Sequence, residues 1–146
     1  MQVSSRFTTA LHIFACNEVF KGDYDVTSDF LAGSIGTNPV VVRKILSQLR
    51  DAGLIEVSRG RGGGISVTRP LNQITFYDVY VAVEAPNEDN IFNFHEHPNP
   101  NCPVGRRIHA VLDNRLSSIS EGLMDDLRSH TVREVVDEME RRIASE

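Results

Sequence analysis

In two stretches of the first 36 residues, apolar side chains recur every three or four positions, the spacing of an amphipathic helix. The first helix should begin at a cap on Ser4 or Ser5, because a serine hydroxyl can accept a hydrogen bond from a free N–H of the first turn. The second should begin at Thr27 or Ser28 for the same reason. It is short and should end at the sequence GSIGT.

A third helix is predicted to start at Asn38-Pro39. A capping side chain there precedes a proline, whose missing N–H costs nothing at the first helical position. The helix should reach about Ala52 and stop at Gly53. Its inward face should consist of four apolar residues, Val42, Ile45, Leu46 and Leu49.

Polar and apolar residues alternate in two short segments after this helix, LIEVS at 54–58 and ISVTR at 65–69, as is typical of strands. The sequence RGRGGG lies between them, and glycines permit the tight turn that joins two antiparallel strands. Three helices followed by a two-stranded hairpin predict a winged helix-turn-helix. The predicted fold class is therefore mainly α with a small β-hairpin.

Helical spacing resumes in the second half of the chain. Thr75 can cap a fourth helix, FYDVYVAVEA. Residues 86–103 contain four prolines and predict a prolonged loop, after which a long helix should open at Cys102-Pro103. The sequence SHT separates this helix from a last one over Val132–Ala144.

The charge of the chain is unevenly distributed. Its net charge is −5, but residues 1–70 hold eight basic against six acidic residues, whereas residues 71–146 hold seven against fourteen. Between positions 43 and 69, six basic residues stand against two acidic ones. Local charge decides whether a surface attracts phosphate, so the N-terminal half can bind a polyanion despite the acidic total.

The glycine loop is a candidate phosphate-binding element, and its sequence context indicates which phosphate. Nucleotide-binding loops need glycines that open a helix, with a Lys-Ser or Lys-Thr pair in the P-loop case. Here the glycines precede a strand, so neither enzyme motif is present. A basic hairpin tip beside a helix-turn-helix favours a wing that contacts DNA. The predicted contacts of the wing are Arg59, Gly60, Arg61, Gly62 and Gly63.

Seven apolar residues form one stripe along the predicted long helix: Val104, Ile108, Leu112, Leu116, Ile119, Leu123 and Leu127. A helix of about 25 residues is about 40 Å long, more than a domain of roughly 70 residues can cover. The stripe can pack against the first helix of its own chain or against the same helix of a second copy. We favour the second arrangement, a homodimer, because twofold symmetry is common among DNA-binding proteins.

Other classes of protein are disfavoured by the sequence. It contains no nucleophile elbow and no His-Glu-x-x-His zinc motif, so we predict no enzyme activity and no cofactor. A protein-interaction module would not need the basic helix and hairpin. Two widely separated cysteines, the lack of a membrane-spanning apolar run and the lack of a signal peptide predict a cytoplasmic protein without a membrane partner.

Three segments, VVRKILSQLRDAGLIEVSRGRGGGISVTRP, ITFYDVYVAVE and LRSHTVREVVDEM, resemble the Rrf-type family of bacterial winged-helix transcription regulators. The resemblance spans nearly the whole chain. It implies a homodimer that binds a palindromic operator in double-stranded DNA, usually as a repressor, with a sensor in the loop before the long helix. It also implies a division into a DNA-binding domain, 1–70, and a helical dimerisation and sensor region, 71–146.

On the family pattern, the third helix is the recognition helix that enters the major groove. Arginine suits guanine, and asparagine or glutamine suits adenine. The predicted DNA contacts of this helix are Asn38, Val40, Val41, Arg43, Lys44 and Gln48.

The sequence allows several interpretations of the sensor loop. Family members that carry an iron–sulfur cluster have a group of cysteines in this loop, whereas the present chain has Cys102 alone there, so we predict no cluster. His95, His97 and Cys102 could supply three metal ligands, with His12 of a partner subunit as a fourth, but two exposed histidines in a polar loop are the plainer interpretation. Small-molecule sensing is a further alternative.

Cys102 is the predicted sensor residue, as a thiol switch. It precedes Pro103 at the predicted start of the long helix, where free N–H groups and the helix dipole favour a thiolate. Arg106 and Arg107 lie one turn on and can add positive charge. Cys16, in an apolar stretch, should be an inert buried cysteine, and His12 should make a local hydrogen bond on its helix.

Overall fold

The computed structural model describes residues 4–58, 64–84, 91–92 and 94–146. Six α-helices and one antiparallel hairpin follow one another in the order α1, α2, α3, β1, β2, α4, α5, α6, with a short 3-10 helix at Leu71–Gln73 before α4. The bounds are α1 Ser5–Val19, α2 Ser28–Ile35, α3 Pro39–Asp51, β1 Ile55–Ser58, β2 Gly64–Val67, α4 Phe76–Glu84, α5 Ile108–Ser129 and α6 Val132–Ala144. The predicted fold class is confirmed.

Side-chain caps set the starts of the first three helices, as the sequence predicts. Ser4 accepts a hydrogen bond from the N–H of Arg6, and Thr27 accepts one from the N–H of Phe30. The turn between α2 and α3 is short because Gly36, with φ +82°, ends α2 in the left-handed conformation. This tight turn fixes α3 against α2, which is the arrangement that a helix-turn-helix needs.

The hairpin has the predicted strands in a simple register. Ile55 pairs with Val67 at its base, and Ser58 pairs with Gly64 at its outer end. Ile55 is buried, whereas Val57 on the same strand is exposed, so the base of the hairpin joins the core and its outer part leaves it. The tip, residues 59–63, lies outside the described residues.

The apolar core does not stop at residue 70. It contains residues of α1, α2, α3 and β1 together with Ile74, Val79 and Val83 around α4 and Val132 and Val136 of α6. α1 packs against both α4 and α6. The core therefore extends across the predicted domain boundary at position 70.

The starts of α4 and α6 are joined to each other. Thr75 caps α4 by accepting from the N–H of Asp78 at 3.1 Å, and the Asp78 carboxylate accepts from the N–H of Thr75 at 2.9 Å, a reciprocal capping box. An isolated β-bridge links Thr75 to Thr131. The N–H of Val132 donates to the Ile74 carbonyl at 2.9 Å. These bonds hold the first turn of α6 beside α4.

The long helix begins at Ile108, so the prediction of a start at Cys102-Pro103 was wrong. Residues 100–106 form consecutive turns. A Cβ on Gly105 would lie 2.4 Å from the Asn99 carbonyl oxygen, so the backbone approach that closes this segment admits only glycine. Pro103 lies within this turn segment instead.

Candidate nucleic-acid interface

One face of α3 is buried and the opposite face is open. Val42, Ile45, Leu46 and Leu49 are all buried, as predicted. Val40 is 68% exposed, and Val41, Arg43 and Lys44 are also exposed. A contiguous exposed apolar patch rimmed by polar residues is a common mark of an interaction site. The open face combines two cations with an apolar surface.

Some of the basic side chains on and near α3 form an ion pair with a carboxylate, and others do not. Arg69 donates to Asp78 at 2.9 Å, and Arg50 lies 3.3 Å from its neighbour Asp51. Within the described part of the chain, neither Arg43 nor Lys44 forms an ion pair. Their charge therefore remains available to an anion outside the chain.

Asn38 is committed in part to the fold. Its Oδ1 accepts a hydrogen bond from the N–H of Val41 at 3.1 Å, which caps α3. A bidentate contact with adenine uses both the oxygen and the nitrogen of the amide. Asn38 can therefore offer DNA only its amide nitrogen.

Gln48 does not lie on the open face, which corrects its predicted role. Its Nε2 donates to the carbonyl oxygen of Val83 at 3.2 Å, and its Oε1 is buried without a hydrogen-bond partner. Arg6 donates to the same carbonyl at 3.1 Å and pairs with Glu84 at 3.1 Å. Gln48 thus joins α3 to the C-terminal end of α4.

A cleft beside the open face adds residues that the sequence did not single out. Its volume is about 430 Å³, and it lies among α2, α3 and β1. Arg43 lines it together with Ser28, Ser47 and Val57. Ser47 lies four positions after Arg43, one helical turn along the same face, where Gln48 was expected. The helical period alone could have placed Ser47 there.

Five of the predicted DNA contacts, Arg59, Gly60, Arg61, Gly62 and Gly63, lie outside the described residues. The strands on either side of them are described: β1 ends at Ser58 and β2 starts at Gly64. The hairpin base is anchored, because the Thr68 hydroxyl donates to the Gly53 carbonyl at 2.6 Å. The base of the hairpin is therefore fixed beside α3.

Cys102 lies in the turn segment before α5 and is half-buried. Hydrogen bonds from the backbone N–H groups of Gly105 and Val104 lower the pKa of its thiol. The carbonyl of Cys102 accepts from the N–H of Arg106 at 3.0 Å, which holds the turn closed. The predicted cause of the lowered pKa was therefore wrong. Backbone N–H groups of the turn that contains Cys102 favour the thiolate, and the terminus of the long helix does not.

The histidines do not gather into a metal site. Among the described residues, no group of three or more His, Cys, Asp or Glu side chains could hold a metal ion. The Nε2–H of His109 donates to the His95 carbonyl at 3.1 Å, and the ring of His97 is exposed beside Glu96. His12 bonds to Ser34 of α2 rather than to a neighbour on α1, which corrects the expectation of a local bond.

The sequence profile of the family described as "Rrf2: Iron-dependent Transcriptional regulator" matches residues 3–138. The chain belongs to the Rrf2 family. The resemblance predicted from the sequence is thereby confirmed, and the chain is a transcriptional regulator with a winged-helix DNA-binding fold.

Similar proteins share this length and fold. The HTH-type transcriptional regulator YwnA of Bacillus subtilis is 33% identical over 137 residues, which cover 94% of this chain and 98% of YwnA. The structure of CymR, the global cysteine regulator of B. subtilis, has a TM-score of 0.69 at 20% identity and covers 94% of this chain and 97% of CymR. T. potens IscR has a TM-score of 0.69 at 18% identity and covers 97% of this chain and 90% of IscR.

The residues of this Rrf2 protein do not fit the iron that the family description names. Iron–sulfur clusters are held mainly by cysteine thiolates, and the chain has two cysteines in all. Cys16 is buried in α1, with its Sγ 3.3 Å from the Ser34 hydroxyl, so Cys102 alone is left near the predicted sensor loop. One thiol cannot hold a cluster of the usual kind.

A membrane role finds no support in the helices. In the residues that the structure describes, none of the helices combines the length and the apolar character of a membrane span.

Proposed function

We propose that this Rrf2 protein is a homodimeric repressor that binds a palindromic DNA operator and responds to thiol stress through Cys102. The observation that carries the DNA-binding part is the open face of α3, where Arg43 and Lys44 have no carboxylate partner among the described residues. YwnA, the relative that covers nearly the whole chain, is named as an HTH-type transcriptional regulator. Both observations support sequence-specific binding of duplex DNA.

The proposed contacts follow from the chemistry of the open face. Arg43 can pair with the two acceptors of guanine in the major groove, and Lys44 can meet a phosphate. Val40 and Val41 supply apolar surface for the methyl group of thymine. The wing residues Arg59 and Arg61 remain proposed contacts of the minor groove or the backbone.

The dimer is supported by the exposure of α5. Only Ser120 and Met124 of this helix are buried, whereas Ile119 is 54% exposed and Val111 is also exposed. α5 packs on α4, and α1 packs chiefly against α6 and α4, which supports a second copy over α1 as the partner of the long stripe. A helix of 22 residues with an open apolar face suits a second copy related by a twofold axis.

The thiol response is supported by the turn around Cys102. A thiolate is the form that peroxides and electrophiles attack, and a half-buried thiol with a lowered pKa is open to both. Peroxide would convert the thiolate to a sulfenic acid and release hydroxide. The added oxygen would crowd the closed turn before α5, the proposed dimer helix.

The test of DNA binding is selection of genomic duplex fragments by the full-length protein, followed by affinity measurements on the selected site. Arg43→Ala should lower affinity for the selected site at least about fivefold, which is the low end of the discrimination from one bidentate base contact. Arg133→Ala, which removes a half-buried arginine of α6 that is paired with Asp137, is the control and should bind as the wild type does. Selection of no common sequence, or equal affinity of both variants, contradicts the proposal.

The thiol response is tested separately with the wild type and Cys102→Ser, each before and after mild peroxide. The wild type should lose operator affinity once mass spectrometry shows the modified thiol, and the serine variant should keep it. Full affinity of the modified wild type, or equal loss in both proteins, removes Cys102 from the mechanism. Neither result alters the test of DNA binding.

A further inference from the structure

A small pocket lies where α1, α2 and α6 meet, apart from the open face of α3 and from the Cys102 turn. Its volume is about 160 Å³. Its walls are mainly apolar and come from α1 and the start of the following turn, including Val19 and Phe20. Met139 and Ile143 of α6 line its outer side, and His12, Cys16 and Ser34 supply the polar atoms.

The polar atoms of the pocket form one hydrogen-bonded chain. Ser34 Oγ lies 2.9 Å from His12 Nε2 and 3.3 Å from Cys16 Sγ. A serine hydroxyl has one donor and two acceptor positions. Two neighbours use two of these, so one position is left for a group that enters the pocket.

The apolar stripe of α6 changes from buried to exposed where the helix reaches the pocket. Val132 and Val136 are fully buried against the core, but Met139 and Ile143, which continue the same stripe, are 40% and 46% exposed. Helical periodicity directs these four residues to one face. The last two are open because the pocket replaces the wall that would cover them.

We propose that this pocket binds a small apolar molecule that carries one hydrogen-bonding group, of the chemical class of the simple phenols. A cavity of about 150 Å³ lined by aliphatic and aromatic side chains can hold benzene, so the volume suits one substituted ring. The ring would cover Met139 and Ile143, and its hydroxyl would bond to Ser34. Glu140 and Arg142, which are neighbours of Met139 and Ile143 in the sequence of α6, are charged and exposed, whereas the core of a subunit interface is depleted of charge. This favours a small molecule over a side chain of a second subunit.

The site is tested by NMR on the full-length protein with labelled methionine and isoleucine methyl groups. Phenol and benzene, which differ by one hydroxyl, are the probes. Both should shift the methyl signals of Met139 and Ile143 until saturation, and phenol should bind about fivefold tighter, the ratio expected from one net hydrogen bond. Ser34→Ala should bind benzene as the wild type does and should lose the preference for phenol.

Two tryptophan variants complete the experiment. Met139→Trp should fill the opening and abolish the shift at Ile143 with both probes, whereas Glu140→Trp, at the next and exposed position, should bind both as the wild type does. The proposal is overturned if neither probe shifts the two methyl signals, or if the wild type binds phenol and benzene equally. It is also overturned if the two signals shift with protein concentration and not with probe, since a second subunit then occupies the pocket.

Discussion

Single side chains of α3 either bond within the fold or lie on the open face. Val40, Arg43 and Lys44 are open to a partner, whereas Gln48 is bonded to the end of α4. The carbonyl of Val83 that Gln48 contacts also accepts from Arg6, so it keeps a partner if the glutamine is removed. The proposed DNA contacts can therefore be tested one residue at a time without loss of the fold.

Gln48→Met is expected to leave operator affinity unchanged. Methionine has a similar shape, and it removes the buried Oε1 that has no partner as well as the bond to Val83. One loss and one gain should nearly cancel, so the free energy of unfolding should change by less than about 1 kcal/mol. Denaturant unfolding and operator titration check the two statements. A large loss of affinity with unchanged stability would restore Gln48 to the DNA-contacting set.

Gly105→Ala is expected to raise the pKa of the Cys102 thiol toward its ordinary value. The added Cβ would lie 2.4 Å from the Asn99 carbonyl oxygen, so the backbone must shift and carry the Gly105 N–H away from the sulfur. The rate of Cys102 alkylation as a function of pH, followed by mass spectrometry, reports this pKa. Gly122→Ala on α5, whose added Cβ meets nothing within 4 Å, is the control and should keep the wild-type profile.

The same lowered pKa has a consequence for stability. The folded protein releases the Cys102 proton at a lower pH than the unfolded chain, so the unfolded chain binds more protons between the two pKa values. In that window, the stability of the wild type relative to Cys102→Ser should rise with pH, and the gain should be lost as pH falls through the lowered pKa. Urea unfolding of both proteins across the window measures it, and a flat difference would show that the thiolate receives no stabilisation.

Among the elements, α5 differs from the others because its apolar stripe is not covered. The stripe residues Leu112, Leu116 and Leu123 are half-buried, and Ile119 between them is exposed. The other helices direct their main apolar stripe into the common core. The exception is the C-terminal end of α6. α5 is therefore the helix whose apolar face is available to a second copy of the chain.

Ile119→Asp is expected to produce a monomer. A charge at the centre of a helix-pairing face would be buried without a partner in the dimer. Sedimentation equilibrium measures the state of assembly, and circular dichroism should show an unchanged helix content because Ile119 is exposed in the single chain. Asn114→Asp adds the same charge at an exposed position outside the stripe and should remain a dimer. A dimeric Ile119→Asp protein would place the interface elsewhere.

Helix boundaries that depend on nearby residues could be predicted from the sequence, whereas those that depend on distant contacts could not. The caps at Ser4, Thr27 and Asn38 act within their own first turns, and all three are observed. The start of α5 depends on the close approach of Gly105 to Asn99, which a proline at position 103 does not reveal. The inward position of Gln48 likewise depends on where α4 packs.

The salt dependence of DNA affinity tests the proposed dimer as a whole molecule. If each subunit engages three or four phosphates, the logarithm of affinity should fall with the logarithm of salt concentration at a slope of about −5 to −7. Lys44→Ala should make this slope shallower by about 1.8 if the lysine contacts one phosphate in each half-site. Filter binding or fluorescence anisotropy over a salt series measures both slopes. Binding that does not depend on salt would support the alternative of a protein-interaction module.

The bridge between Thr75 and Thr131 brings together the two chain segments that lead into α4 and α6. The N–H of Phe76 donates to the His130 carbonyl, and the N–H of Val132 donates to the Ile74 carbonyl, so two amide hydrogens close this junction. Deuterium exchange at those two amides therefore reports how often the junction between the starts of α4 and α6 opens. If α5, the proposed dimer helix, is held rigidly against the core through this junction, both amides should exchange as slowly as those of the core. Faster exchange at both would give the free energy of a hinge between them.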